Sequence, residues 1–445
     1  MSKGSQRNIA LVGYGTRGDI QPFVSLAAGL ASHGHEVSLL VPRNGAPMAR
    51  ASGLNTIELP FDIQQMFDSP AAQQMLAAGR INKFFKWLHE EESSFLDPLR
   101  AALLEGTREA DTIVSHGLME DRCAAIAEAR GARMISVHFA PSMPSRDFPS
   151  PFVARRNLGP LNRTTHRLML EMLWRLSRDD VATLRGELGI PPARSSHSQA
   201  LARGEGELLL AYSPAVAATP ADWPTGARSV GALTMSPKLR ESVGESGLSN
   251  DLEAWLDAGP PPVFLGFGSM PVLDVKGLVR TIRGSLEAVG VRGVIGAGWS
   301  ELEEIRDETI FSVEGVDHQS LLPRCLAAVH HGGSGTVHAS LAAGVPTLVC
   351  SVFADQPYWG CRCRVLGVGD TFPFKRLDQR RLTAGLEKMM SERVRTNAAD
   401  LARRIAVDEP LPRAIAAIEG GSPEASIGEQ AVPKPAAPIC DARVI

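Results

Sequence analysis

The sequence predicts an α/β protein built from two Rossmann-like, doubly wound domains that face each other across a cleft. Three observations carry this. The 445 residues exceed the roughly 250–300 that one hydrophobic core supports. Apolar, strand-like runs alternate with amphipathic helical segments in both halves, the pattern of a parallel sheet covered on two faces. Each half also joins a strand to a helix through a glycine-rich turn, GYGTRGD from Gly13 and HHGGSGT from His330.

In the first half, Ile9–Val12 reads as a strand. A helix follows in which Ile20, Phe23, Val24, Ala27 and Leu30 share one face. Val37–Val41, Thr112–Val114 and Met134–Val137 continue as buried strands. Residues 139–160 are rich in Pro, Ser and Arg, and a helical stretch runs from about Leu161 to Leu188. A second alternating series opens at Pro262 with VFLGFGSM and continues through Gly293–Ile295, Ile310–Val313, Ala327–His330 and Thr347–Val349. The expected division is an N-terminal domain over 1–225, a connection over 226–258, a C-terminal domain over 259–418 and a tail of disordered composition from 419 to 445.

Charge and hydropathy narrow the function classes. The net charge is −3 without a basic block, so nucleic acid is not an expected partner. No run of about 18 apolar residues predicts a membrane-spanning helix, and the apolar run at the N-terminus stops at Gly13, too short for a signal peptide. The six cysteines are scattered without C-x-x-C spacing, which fits a reducing cytoplasm. A monomer or weak dimer is expected.

The C-terminal glycine turn carries the most chemistry. Glycines at 332, 333 and 335 at the start of a helix let backbone N–H groups approach an anion, and the helix adds partial positive charge. A diphosphate suits such a turn, with His331 and Thr336 as donors, although Ser334 also reads as a simple helix cap. Further on, Asp355 and Gln356 stand side by side as an acid and an amide able to bracket two hydroxyls; Asp355 also reads as a cap. Val316-Asp317-His318-Gln319 follows a strand, where backbone amides could read a flat base edge.

Taken together, GYGTRGDIQPFVSLAAGLASHGHEV, GFGSM, HHGGSGTVHASLAAGVP and DQPYWG resemble the nucleotide-sugar glycosyltransferases of family 1 with the two-Rossmann-domain GT-B fold. The resemblance runs to about residue 418 and is strongest to the bacterial glycopeptide and macrolide branch and the sterol glucosyltransferases. It implies that Ser269 and the 332–336 turn, including Gly333, Ser334 and Gly335, hold a diphosphate that His331 contacts. It implies that Asp355 and Gln356 hold sugar hydroxyls, that Val316 lies over the base and that Gln319 is near the ribose. Plant members carry Trp where Val316 stands, so weaker base stacking is implied, and the donor is left as a UDP- or dTDP-sugar.

The N-terminal turn, Gly13-x-Gly15-x-x-Gly18, matches a dinucleotide fingerprint, but the second strand ends at Val41-Pro42-Arg43 without the ribose-binding acid. Arg43 would suit a 2′-phosphate, so an NADP-dependent oxidoreductase is the alternative, with a non-catalytic helper protein or an epimerase of the same fold behind it. The resemblance instead turns this loop toward the acceptor and makes Asp19 the catalytic base; as a bare residue Asp19 reads equally well as the helix N-cap. His138 and Asp121 are the reserve candidates. Thr16, Phe84, His138 and Met143 are the expected acceptor contacts, in a half also rich in Phe85, Trp87, Phe95, Phe139 and Phe148. The expected reaction is inverting transfer of a hexose to a hydroxyl of a small apolar acceptor, with no metal and no cofactor beyond the nucleotide-sugar co-substrate. No D-x-D pair is present.

Overall fold

The computed structural model describes residues 6–77, 80–154, 157–245, 247–267, 274–296 and 304–421. Its first sheet has seven parallel strands: β1 (Asn8–Val12), β2 (Glu36–Pro42), β3 (Asn55–Leu59), β4 (Thr112–Ser115), β5 (Arg133–His138), β6 (Glu207–Leu210) and β7 (Ala227–Ser229). Their order is β3-β2-β1-β4-β5-β6-β7. The second sheet has six parallel strands: β8 (Val263–Gly266), β9 (Gly293–Gly296), β10 (Ile310–Val313), β11 (Ala327–His330), β12 (Thr347–Ser351) and β13 (Gly369–Pro373). Its order is β10-β9-β8-β11-β12-β13. Both sheets therefore reverse direction beside their first strand, at β1/β4 and at β8/β11. Ligands of open parallel sheets bind outside the carboxyl ends of the strands at such reversals.

The expected core face of the first helix is correct. In Arg17–Ser32, Ile20, Phe23, Val24, Ala27 and Leu30 are all buried against the sheet. The expected strands recur within one or two residues, while β3, β6, β7 and β13 were not anticipated. β7 lies inside the segment read as a connection, because it is short and only partly buried. That segment also contains helices Pro237–Ser242 and Asn250–Asp257, and Leu252 and Leu256 of the latter pack into the second lobe with Phe264 and Val294.

The periodic part of the chain does end at Ile418, but its final helix packs on the first lobe. The last helix, Pro410–Ile418, buries Ala414, Ile415, Ala417 and Ile418 in the first lobe's core rather than the second's. A Cβ on Gly29 of the first helix would lie 2.8 Å from Leu411 Cδ1, so the glycine permits the close approach. Arg7 donates to the carbonyls of Ile418 and Glu419 at 2.9 and 3.1 Å, placing positive charge where the helix dipole is negative. Met143, Phe148, Tyr212 and Trp223 of the first lobe share one buried cluster with Tyr358 and Trp359 of the second, so the lobes meet through an apolar contact.

Among the described residues no helix is long and apolar enough to cross a membrane. Cys123, Cys325, Cys350 and Cys363 are free. Cys361 is disulfide-bonded, which the scattered spacing did not anticipate.

Candidate active site

The turn after β1 closes around its own carboxylate. Thr16, not Asp19, is the N-cap, and Asp19 is the third residue of the helix. The Thr16 N–H donates to Asp19 Oδ2 at 2.9 Å. Gly15 has φ +132°, and a Cβ there would sit 2.1 Å from the same oxygen. The glycine is thus needed to admit Asp19, which leaves the turn filled rather than open to a pyrophosphate. Arg43, the candidate for a 2′-phosphate, faces Glu58 at 3.6 Å on the surface.

Asp19 keeps its other oxygen for a partner that sequence reasoning missed. His116 directly follows β4, the neighbour of β1, and its Nε2 lies 3.4 Å from Asp19 Oδ1. Its Nδ1 is 3.0 Å from the Val137 carbonyl. A carbonyl can only accept, so Nδ1 carries the proton and Nε2 is the nitrogen that titrates. Burial pushes the imidazole down, but the hydrogen bond and charge of Asp19 outweigh it, and the ring's pKa is raised above its ordinary 6.5. Phe139 packs on the ring with centroids 4.5 Å apart.

In the second lobe the turn after β11 is built differently. Gly332 has φ +95°, its N–H donates to His330 Nδ1 at 3.0 Å, and a Cβ would meet Val349 Cγ1 at 2.4 Å. Gly333 caps the helix Ser334–Ala342 without any side-chain cap bond, and a Cβ on Gly335 would meet nothing within 4 Å. The amides at this helix start therefore remain approachable. His331 Nδ1 is shielded from solvent and has no hydrogen-bond partner. Burial, against the opposing Gly266 carbonyl, lowers this ring to about 4, so it meets a ligand at neutral pH as a neutral imidazole. Thr336 is half-buried. Ser269 lies outside the described residues.

Three donor-side expectations change in detail. The Ser334 hydroxyl donates to the Phe139 carbonyl at 2.7 Å, so it joins the lobes instead of waiting for a phosphate. Asp355 occupies the cap position but makes no cap bond; its Oδ2 accepts from Trp359 Nε1 at 2.6 Å. Gln356 Oε1 accepts from the N–H groups of Val352 and Phe353 at 2.8 and 3.2 Å. It thereby pins a turn in which Ala354 holds φ +55°, a conformation that costs a non-glycine residue about 1 kcal/mol or more. Val316 is half-buried beside Phe311 and Leu252, and Gln319 is exposed with its N–H on Asp317 Oδ1 at 2.9 Å. Asp317 also pairs with Arg240 of the connection.

The acceptor side needs more correction. Phe84 is fully buried, packing on Phe67 and on Phe353 of the second lobe, because its helix lies over the cleft with that face inward. Met143 is buried in the cluster between the lobes. His138 has both nitrogens engaged, Nε2 with Glu120 Oε1 at 2.8 Å and Nδ1 with the Ser142 hydroxyl at 2.7 Å. Asp121 accepts from the His197 N–H and the Ser177 hydroxyl at 2.6 and 3.0 Å. Both reserve candidates are thus tied into hydrogen bonds within the first lobe. Of the expected contacts only Thr16 adjoins Asp19 and is partly exposed.

The two halves of the site converge. Burial raises Asp355 to about 6; Trp359 opposes this, the charge of Asp19 adds to it, and the charge of His116 opposes it. Asp19, His116, Phe139 and Ser334 form one continuous line of contacts from the first lobe to the helix start in the second.

Comparison with known proteins agrees with this fold. Residues 9–95 match the glycosyltransferase family 28 N-terminal domain. Residues 299–419 match the erythromycin biosynthesis protein CIII-like C-terminal domain. An uncharacterised glycosyltransferase of Mycobacterium tuberculosis is 30% identical over 398 residues, 88% of this chain and 93% of that protein. A sterol 3-beta-glucosyltransferase of Arabidopsis thaliana is 28% identical over 427 residues, 92% of this chain and 64% of that protein. Among solved structures, the glycotransferase of kitacinnamycin has a TM-score of 0.67 at 17% identity over 94% of this chain and 99% of that one. Glycosyltransferase VinC in complex with dTDP has a TM-score of 0.64 at 20% identity over 93% and 99%.

Proposed function

The chain belongs to the glycosyltransferases of GT-B fold, and from that premise we propose that it transfers a hexose from a UDP- or dTDP-sugar to a hydroxyl of a small apolar acceptor, with inversion and without a metal ion. The observation that carries this reading is the two-faced carboxylate of Asp19. One oxygen holds the turn, the other meets His116, and its charge reaches Asp355 across the cleft.

In the proposed step Asp19 Oδ1 takes the proton of the acceptor hydroxyl as that oxygen bonds to the anomeric carbon. The bond from this carbon to the diphosphate breaks, and its electron pair leaves on the diphosphate. His116 Nε2 then accepts the proton from Asp19, so His116 orients and relieves the base without touching the sugar. The charge on the departing diphosphate meets the amides of Gly333 to Gly335, the helix dipole and neutral His331, a set that supplies the stabilisation a metal would otherwise give. Asp355, with one oxygen held by Trp359, offers the other to a sugar hydroxyl. The sterol glucosyltransferase relative supports an apolar, hydroxylated acceptor: a natural-product aglycone, a sterol or a similar lipid.

Thermal unfolding with added UDP and dTDP tests the donor, since a ligand at about a hundredfold its Kd stabilises the fold by ~2.7 kcal/mol. A melting temperature unmoved by either nucleotide defeats the donor reading. Turnover should survive EDTA; loss with chelator and recovery with magnesium or manganese defeats the metal-free reading.

A further inference from the structure

Four of the five exposed large apolar side chains among the described residues lie within one short stretch: Phe152, Val153, Leu161 and Leu168. Leu161 and Leu168 are 61% and 59% exposed, and at a spacing of seven they share one face across the start of helix Asn162–Glu187. The loop beside them is fixed in place. The Ser150 N–H donates to Thr165 Oγ1 at 2.8 Å, Asn162 Nδ2 donates to the Arg146 carbonyl at 2.8 Å, and His166 donates to the Phe148 carbonyl at 3.0 Å. Phe152 packs on Phe85 with centroids 5.9 Å apart, which joins the patch to helix Ile81–Glu92. The exposed side chains therefore project from an anchored loop and helix start.

Charge separates this face from the rest of the molecule. The whole chain is acidic at −3, yet among the described residues from Phe148 to Leu170 the charged side chains are Arg163, half-buried, and Arg167, with no carboxylate. Arg167 stands exposed beside Leu168 and makes no ion pair among the described residues, and exposed Lys83 lies on the adjoining helix. Lys86, also there, pairs loosely with Glu90 at 3.6 Å. An apolar face set among unpaired cations is what an anionic lipid surface recognises: acyl chains take the leucines and phenylalanine while headgroups take the arginines.

We propose that this face of the first lobe docks on an anionic membrane surface. Docking there would hold the lobe against a source of apolar hydroxylated molecules, because the same loop starts at Phe139 beside His116 and the aromatic neighbours of Phe85 reach Phe353 of the second lobe. The inference does not depend on the donor or on the base.

The test is co-sedimentation of the full chain with vesicles of phosphatidylcholine alone and of phosphatidylcholine mixed with phosphatidylglycerol. The expected result is binding to the mixed vesicles only, weakened by salt. The Leu161→Glu/Leu168→Glu double variant and Arg167→Glu should each lower the partition coefficient, the double variant by roughly tenfold or more. Melting temperature and UDP or dTDP binding should stay unchanged, since all three side chains are exposed and none has a role in the donor turn. Absence of vesicle binding by the unaltered chain overturns the proposal, as does binding that the variants retain. Concentration-dependent dimerisation abolished by the same substitutions, without vesicle binding, would assign the face to a second copy instead.

Discussion

The two glycine turns of this chain sit at equivalent places, each at the carboxyl end of a strand beside the point where its sheet reverses, yet they are built for opposite uses. After β1, Gly15 makes room for the Asp19 carboxylate, and the turn is filled by the chain's own acid. After β11, Gly332 lets the backbone pass Val349, the helix start has no side-chain cap, and the space over Gly335 is empty. A pattern of glycines shows where backbone must come close to something; only the atom that a Cβ would strike shows whether that something is the protein or a ligand. The first turn therefore presents a base and the second an anion site, and substitutions should separate chemistry from binding.

The largest expected effect is on the first turn. Asp19→Asn should lower turnover at saturating donor by roughly 10²–10⁴, the usual contribution of a positioned base. Asn at the third helical position keeps a side-chain oxygen for the Thr16 N–H, so the melting temperature should change little; an Asn variant that is both folded and fully active removes Asp19 from the chemistry. His116→Gln should cost roughly tenfold or more in turnover and also reshape its pH dependence. In the unaltered chain the proton shared with Asp19 must leave before Asp19 can take another, so activity should fall as pH drops through a value above 6.5, the direction in which His116 is shifted. In the variant, which lacks this imidazole, that acid limb should move to lower pH. An unmoved limb would reduce His116 to a packing residue.

Substitutions in the second turn should be smaller and fall on binding. His331→Ala should weaken UDP or dTDP by about 1–3 kcal/mol, the cost of a lost hydrogen bond to a charged group, with turnover at saturating donor less affected. Gly335→Ala has room for its Cβ and should stabilise the helix by at most about 1 kcal/mol. If it instead unfolds the protein, the space above that residue is not empty.

How much of this was legible in the sequence follows the same division. Strand and helix alternation, the buried face from Ile20 to Leu30 and the open second turn are local, so periodicity and glycine spacing reveal them. His116 is not local. It reaches Asp19 only because β4 lies beside β1, a fact of strand order, and the usable signal was its place directly after a buried strand. Phe84 and Met143 were read as acceptor contacts from apolar character alone, which does not say whether a ring faces a ligand or the other lobe. The return of helix Pro410–Ile418 to the first lobe was hidden for the same reason: its apolar face fits either core.

The central claim is the division of labour between the turns, and calorimetric titration of UDP and dTDP into the unaltered chain, Asp19→Asn and His331→Ala tests it most directly. The account predicts that Asp19→Asn binds the preferred nucleotide as tightly as the unaltered chain while His331→Ala binds it more weakly. Equal loss of affinity in both variants, or loss in Asp19→Asn alone, would contradict it.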